Sequence, residues 1–233
     1  MLDPHLLDNP IWNSLITEHS RFALGDNLAR RFPADIGPLS GFAEPSDAAY
    51  DTLRTLAGPA GIVVLFLEEP PAPHTGWSLI RGGLLTQMLC PDASRIDPVL
   101  HSTHAELRRL TAADVPQMVA LAELTEPGPF RTRTHELGLF FGIFESDRLV
   151  SMAGQRTRVP GFIEVSAVCT HPDARGRGYA RTLMSAVMDD IFAQGSLPFL
   201  HAFADNHAAI RVYQSLGFSQ RRTFHLAVLK NEQ

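Results

Sequence analysis

The apolar positions of the second half of the chain change period several times, and each change marks an element. Phe162–Thr170 is dense in β-branched and apolar residues, as a strand is. Behind it Ala180, Leu183, Met184, Val187, Met188 and Ile191 recur three or four apart. That spacing predicts a helix over about Arg177–Gln194 with one buried face. Upstream, Glu106–Leu110 reads as a strand and Thr111–Leu124 as a helix capped by Thr111 or Asp114. The Pro-Gly loop Thr125–Phe130 follows, then a hairpin of Leu139–Glu145 and Leu149–Arg156 about Ser146-Asp147. Downstream come a strand over Phe199–Ala204 and a helix over Asn206–Leu216. That helix ends at Gly217, where a left-handed cap belongs, and a strand over Thr223–Leu229 follows.

The first ninety or so residues are less regular. Asp47–Leu56 reads as a helix with Ser46 as N-cap, and Ile62–Leu67 as a buried strand. Leu84–Cys90 reads as another strand, after the loop-forming Glu69–Gly76. Proline, aspartate and serine cluster over Pro91–Thr103, which marks a boundary. The expected organisation is a small α/β subdomain over residues 1–100, with no assigned role, and a second domain over 104–233. Helices flanking a mixed sheet make the fold α/β or α+β.

Composition narrows the classes. The chain is 45% hydrophobic and 19% charged with a net charge of −5, ordinary for a soluble globular protein. No run of lysine or arginine forms a stripe, so nucleic acid is not an expected partner. Apolar stretches fall far short of the ~20 residues that cross a bilayer, so no membrane partner is expected either. Met1–His5 lacks the basic and apolar regions of a signal peptide, and Cys90 and Cys169 form no disulfide framework or metal spacing. A cytoplasmic location without a metal is the expectation. The oligomeric state stays open, a homodimer included.

Chemistry concentrates at His171–Arg181, where Arg175-Gly176-Arg177-Gly178-Tyr179-Ala180 stands between a strand and a long helix. Amide N–H groups at a helix start lack internal partners and carry partial positive charge, which suits a diphosphate. Gly178 and the small Ala180 let a ligand approach the main chain. Taken alone, the stretch reads equally as a Gly-rich turn with solvated arginines. It is not a dinucleotide fingerprint, because Arg181 stands in place of the third glycine, and it lacks the Gly-Lys-Ser/Thr ending of a P-loop.

A second anchor is Asn206-His207-Ala208-Ala209-Ile210-Arg211-Val212-Tyr213, then Leu216-Gly217-Phe218. Asn206, Ala209, Ile210 and Tyr213 share one helix face, where packing alone would also account for a core tyrosine and a plain N-cap. Together, the order strand, Arg175-x-x-Gly178-x-Ala180, helix, strand, Asn206-x-x-Ala209-x-x-x-Tyr213 resembles the GNAT superfamily of acyl-CoA-dependent N-acyltransferases. The resemblance spans about His104–Lys230 and is strongest over Gly161–Phe218. The first hundred residues lie outside it, with some likeness to the N-terminal half of the glycine N-acyltransferase branch.

The resemblance implies a mixed, mostly antiparallel sheet flanked by helices, with acetyl-CoA (or another acyl-CoA) as co-substrate and an amine as partner. Arg175, Gly176, Arg177, Gly178, Tyr179 and Ala180 would hold the diphosphate. Val168, Cys169 and Thr170 would pair their main chain with the pantetheine arm, an N–H near Val168 facing the oxyanion. Asn206, with Ala209 beside it, would reach the pantetheine amides. Tyr213 is the implied general acid. Glu164, fourteen residues before Gly178, has the spacing of the base glutamate in histone-acetylating relatives, with an exposed surface carboxylate as the competing reading. Glu126 and Phe130 stand where relatives place acceptor-binding loops. Cys169 reads as a small core residue and not a nucleophile, and His201 and His207 as loop or sheet-surface groups. The function implied is acetyl transfer to a small amine or amino acid by direct attack. An inactive acyl-CoA sensor and a protein N-acetyltransferase are the alternatives.

Overall fold

The computed structural model describes residues 2–92 and 106–232. Helix α1 (Pro10–Ile16) opens the chain, and β1 (Leu24–Gly25), β2 (Ala29–Arg31) and β3 (Ser40–Phe42) form a small antiparallel sheet. After α2 (Asp47–Ala57) come β4 (Ile62–Leu67) and β5 (Trp77–Leu89). The second part runs β6 (Glu106–Arg109), α3 (Val115–Thr125), β7 (Phe140–Glu145), β8 (Arg148–Val159) and β9 (Phe162–Thr170). It ends with α4 (Tyr179–Ala193), β10 (Leu197–Phe203), α5 (His207–Ser215) and β11 (Ser219–Asn231). Strands β4 to β11 form one sheet in the order β4-β11-β5-β10-β9-β8-β7-β6, antiparallel except for the β9–β10 pair.

Local chemistry explains why the elements sit where the pattern put them. Ser46 caps α2 through its side chain, and Thr111 and Asp114 form a reciprocal capping box ahead of α3. Ser146 and Asp147 both take positive φ, as a two-residue hairpin turn requires. Gly217 takes φ 91 behind α5. Leu183, Met184, Val187, Met188 and Ile191 of α4 are fully buried against β7, β8, β9 and β10. At about 1.5–3 kcal/mol for each such side chain, this face fixes α4 on the sheet.

The expected division into residues 1–100 and 104–233 does not divide the sheet. Strand β5 lies between β10 and β11, and β4 pairs the other edge of β11, so both parts of the chain share one ladder. Residues 93–105, which hold most of the expected linker Pro91–Thr103, lie outside the described residues. Strand β5 also begins seven residues earlier than the apolar pattern predicts. Its first half is exposed and carries Gly82-Gly83; pairing with β11 makes it a strand, not side-chain periodicity. Helix α1 and the small sheet were not anticipated. Among the described residues no helix is long and apolar enough to cross a membrane.

Candidate active site

The sheet opens at its one parallel pair. Strand β10 meets β9 only at Leu197–Phe162, Pro198–Ile163 and Phe199–Glu164, and from Phe199 onward pairs with β5 instead. Strand β9 continues to Thr170 beside β8 alone, so its other edge faces a wedge from Val165 to Thr170. Within that stretch Ala167 and Val168 together oppose Ala153 of β8, a bulge in which Ala167 takes φ 52. Holding a non-glycine residue there costs about 1–3 kcal/mol, and such outliers collect where main-chain groups are aimed at a ligand.

The wedge leads into a cleft of about 380 Å³ lined by Val168, Cys169, Thr170, Arg175, Gly176, Gly178, Tyr179, Ala180, Ala209 and Tyr213, with Thr125, Arg181, Met184 and Val212. Gly176 and Gly178 have φ near +80, and no atom stands within 4 Å of where a Cβ would lie on either. That backbone needs glycine, and the space before it is open to a ligand. Gly178 starts α4, so the first N–H groups of the helix border the cleft. Donors at a helix start beside Arg175 and Arg181 fit a diphosphate in both charge and hydrogen bonding.

Two expected site residues engage their side chains elsewhere. The Arg177 guanidinium donates to Glu145 at 2.6 Å and to the Asp173 carbonyl, outside the cleft lining. Asn206 spends its side-chain oxygen as the cap of α5, accepting from the Ala209 N–H at 3.1 Å. The cap reading of Asn206 is therefore the one its geometry satisfies. Phe130 is a core anchor, 5% exposed and edge-on to Phe140 in the cluster of Met118 and Leu121. Its ring is buried in that cluster, so the acceptor-wall role does not fit it. Glu126 is exposed and closes α3 with φ 47.

Tyr213 packs edge-on to Phe218, and burial raises its pKa. No hydrogen bond to its hydroxyl is present among the described residues, and Tyr213 is one of the residues that line the cleft. Burial also pushes the Cys169 thiol up to about 11, far from a reactive thiolate. His207 is exposed at the start of α5.

Glu164 and His201 differ most from the sequence reading. Both side chains are almost fully buried. Arg156 donates to Glu164 through Nε at 3.0 Å and Nη2 at 2.8 Å, the Thr157 N–H adds a third bond, and His201 Nδ1 stands 2.8 Å from Oε1. Burial alone would raise the Glu164 pKa, but the charge of Arg156 and the His201 hydrogen bond outweigh it and hold the carboxyl well below the usual range. A carboxylate so strongly ionised and so fully engaged is a poor proton acceptor. The general-base role expected of Glu164 therefore does not fit its surroundings. Nor is it an exposed surface group.

The chain of bonds continues across the sheet. Gln87 Nε2, which can only donate, lies 3.1 Å from His201 Nε2, and Arg221 fixes the amide by donating to Oε1 at 2.9 Å. His201 thus accepts at Nε2 and carries its proton on Nδ1, toward Glu164. Arg221 also binds Asp8, and Gln87 holds the Leu7 carbonyl, so the network ties the chain start to the sheet. Sequence reading missed Arg156, Arg181 and Ala167. Opposite charges inside two adjacent apolar strands were the available signal for Arg156–Glu164; nothing in the sequence marks the φ of Ala167. A larger cavity of about 560 Å³ lies between β3, β4 and α2, where neither motif reaches.

Comparisons with known proteins bear on the family and the fold. Residues 140–226 match the model of the FR47-like protein family. A solved structure of a putative acetyltransferase from the GNAT family of Novosphingobium aromaticivorans is 38% identical, covering 98% of this chain and 100% of that one with a TM-score of 0.87. An uncharacterized protein of Mycobacterium leprae is 30% identical over 211 residues, 79% of this chain and 56% of the relative. The N-alpha-acetyltransferase RimI of Mycobacterium tuberculosis is 34% identical over 84 residues, 35% of this chain and 52% of the relative. The matched stretches span little more than half the length of either curated relative. These similarities support the GNAT assignment and not the glycine N-acyltransferase-like branch.

Proposed function

The chain belongs to the GNAT family of acetyltransferases, and from that premise we propose that it moves an acetyl group from acetyl-CoA to the primary amine of a small acceptor. Acetyl-CoA would bring the activated thioester; everything else falls to the chain. The N–H groups at the start of α4, with Arg175 and Arg181, bind the diphosphate, so binding energy remote from the reaction positions the reacting carbonyl. The free edge of Val168–Thr170 pairs with the pantetheine arm as an added strand would. An N–H of the Ala167–Val168 bulge donates to the oxyanion, and the strained backbone keeps that donor aimed before the acceptor arrives. Tyr213 hands its proton to the departing thiolate. The attacking amine loses its proton to water, since Glu164 is already committed to Arg156.

The observation that carries this reading is the coincidence of the wedge, the bulge at Ala167 and the open glycine start of α4 along one cleft. In this reading the segment around Asp35–Ile36 is part of the acceptor side: the Arg133 N–H bonds the Asp35 carbonyl and Thr134 bonds the Ile36 carbonyl, bracing the Thr125–Thr134 connection. The cytoplasm is the proposed location. Similarity to the M. tuberculosis N-alpha-acetyltransferase supports a second reading, with a protein N-terminus as acceptor.

Free-thiol release from acetyl-CoA over a panel of amines, amino acids and peptides tests the proposal. Acceleration by one acceptor class is the expected outcome. Tight acetyl-CoA binding that no amine converts to thiol release would leave a sensor of acyl-CoA instead.

A further inference from the structure

On β8, across β9 from the wedge, stands a cation whose plane is set from behind. Arg156 of β8 uses Nε and one proton of Nη2 on the two oxygens of Glu164. Glu164 is in turn held by the Thr157 N–H and by His201, which Gln87 fixes through its other ring nitrogen. The guanidinium therefore has one orientation. Of its five N–H donors, the two on Nη1 and the second on Nη2 remain, and no hydrogen bond to Nη1 is present among the described residues.

That nitrogen lies 3.8 Å from where a Cβ on Gly128 would stand. Gly128 is exposed, takes φ +126, and has no side chain to cover the edge. The Arg156 side chain is only 11% exposed. An otherwise buried guanidinium thus turns its end-on edge toward the exposed Gly128 of the Thr125–Phe130 loop. Two parallel N–H donors in one plane match a carboxylate bidentately. Glu164 occupies the side-on edge and leaves the end-on edge for a second carboxylate. The fixed plane spares the ordering cost that a solvent-exposed arginine would meet on binding.

We infer that the end-on edge of Arg156 is the acceptor-carboxylate subsite, which makes the acceptor a molecule carrying both a primary amine and a free carboxylate. The inference rests on the acetyl-transfer reading and narrows it. The carboxylate bound at Arg156 places the amine back toward Ser166–Val168, where the thioester carbonyl would sit. An amine without the carboxylate would reach the same carbonyl only by chance encounter.

The experiment compares, with the full chain and acetyl-CoA, free amino acids against their methyl esters and decarboxylated amines. Concentrations are matched as unprotonated amine, because esterification lowers the amine pKa. At least a tenfold advantage in kcat/KM for the free acid is expected. Arg156→Lys keeps a cation for Glu164 but lacks the second edge. It should raise the KM for the free acid at least tenfold, bring the acid-to-ester ratio in kcat/KM down toward one and leave acetyl-CoA affinity unchanged. If Arg156→Lys fails to fold, the comparison of acid with ester on the unaltered enzyme still decides. Esters and decarboxylated amines turned over as well as the acids would overturn the subsite while leaving acetyl transfer standing. Acetyl-CoA binding with no acceptor of any kind consumed would overturn both.

Discussion

The Thr134 hydroxyl donates to the Ile36 carbonyl at 2.6 Å and itself accepts the Arg131 N–H at 2.7 Å, so one buried side chain joins parts of the chain 98 residues apart. Valine at this position would keep the volume and leave both backbone groups unpartnered. Thr134→Val should lower stability by about 1–3 kcal/mol. Its effect should concentrate around the connection after α3, seen as faster amide exchange at Arg131 with little change in α4. Uniformly unchanged exchange would show that the two parts are braced elsewhere.

Gly178 tests the diphosphate site. Valine at φ +79 is strained and places its branches in the open space before α4. Acetyl-CoA affinity should fall at least tenfold by calorimetric titration while the circular dichroism spectrum stays the same. Unaltered affinity would count against the site.

Tyr213→Phe removes a proton and little packing. If the phenol protonates the thiolate, kcat should drop on the order of a hundredfold with acetyl-CoA affinity unchanged. A rate within twofold of the original would leave Tyr213 as a partner of Phe218 only.

Glu164→Gln separates structure from proton transfer. Removing the charge leaves the buried Arg156 uncompensated, at a cost of about 3–5 kcal/mol. Because the carboxyl is already ionised throughout the neutral range, any acid limb in the pH–rate profile should survive the substitution. A profile that loses that limb in the folded variant would restore Glu164 as the base.

His19 predicts an acid-sensitive N-terminal part. Its Nε2 lies 3.1 Å from the Leu137 carbonyl and its Nδ1 3.0 Å from Ser14 Oγ, so the buried neutral ring is fully satisfied. Burial lowers its pKa to about 4 from 6.5. The folded state thus prefers the neutral ring: its contribution is complete above pH 6.5 and is lost as pH falls toward 4. Protonation across that window should destabilise the fold by on the order of 3 kcal/mol. Urea midpoints at pH 7 and pH 4.5 should differ for the natural chain and converge partly in His19→Gln.

Patterning carries information about a residue's immediate neighbours, and that is how far the chain could be read. Phe162–Thr170 and the buried face of α4 stand where their periodicity put them, because each is stabilised by packing one continuous apolar face. The glycines before α4 and Tyr213 were legible because local backbone geometry and helix spacing place them at the cleft without help from distant residues. Pairings between remote strands leave no such trace. The exposed half of β5 has no periodicity, and only β11 made it a strand and merged the two expected domains into one sheet. The fate of Glu164 was decided the same way: as a single letter it suits a base or a surface charge equally. Arg156 from one neighbouring strand and His201 from another close around it, and solvation by those partners set its charge.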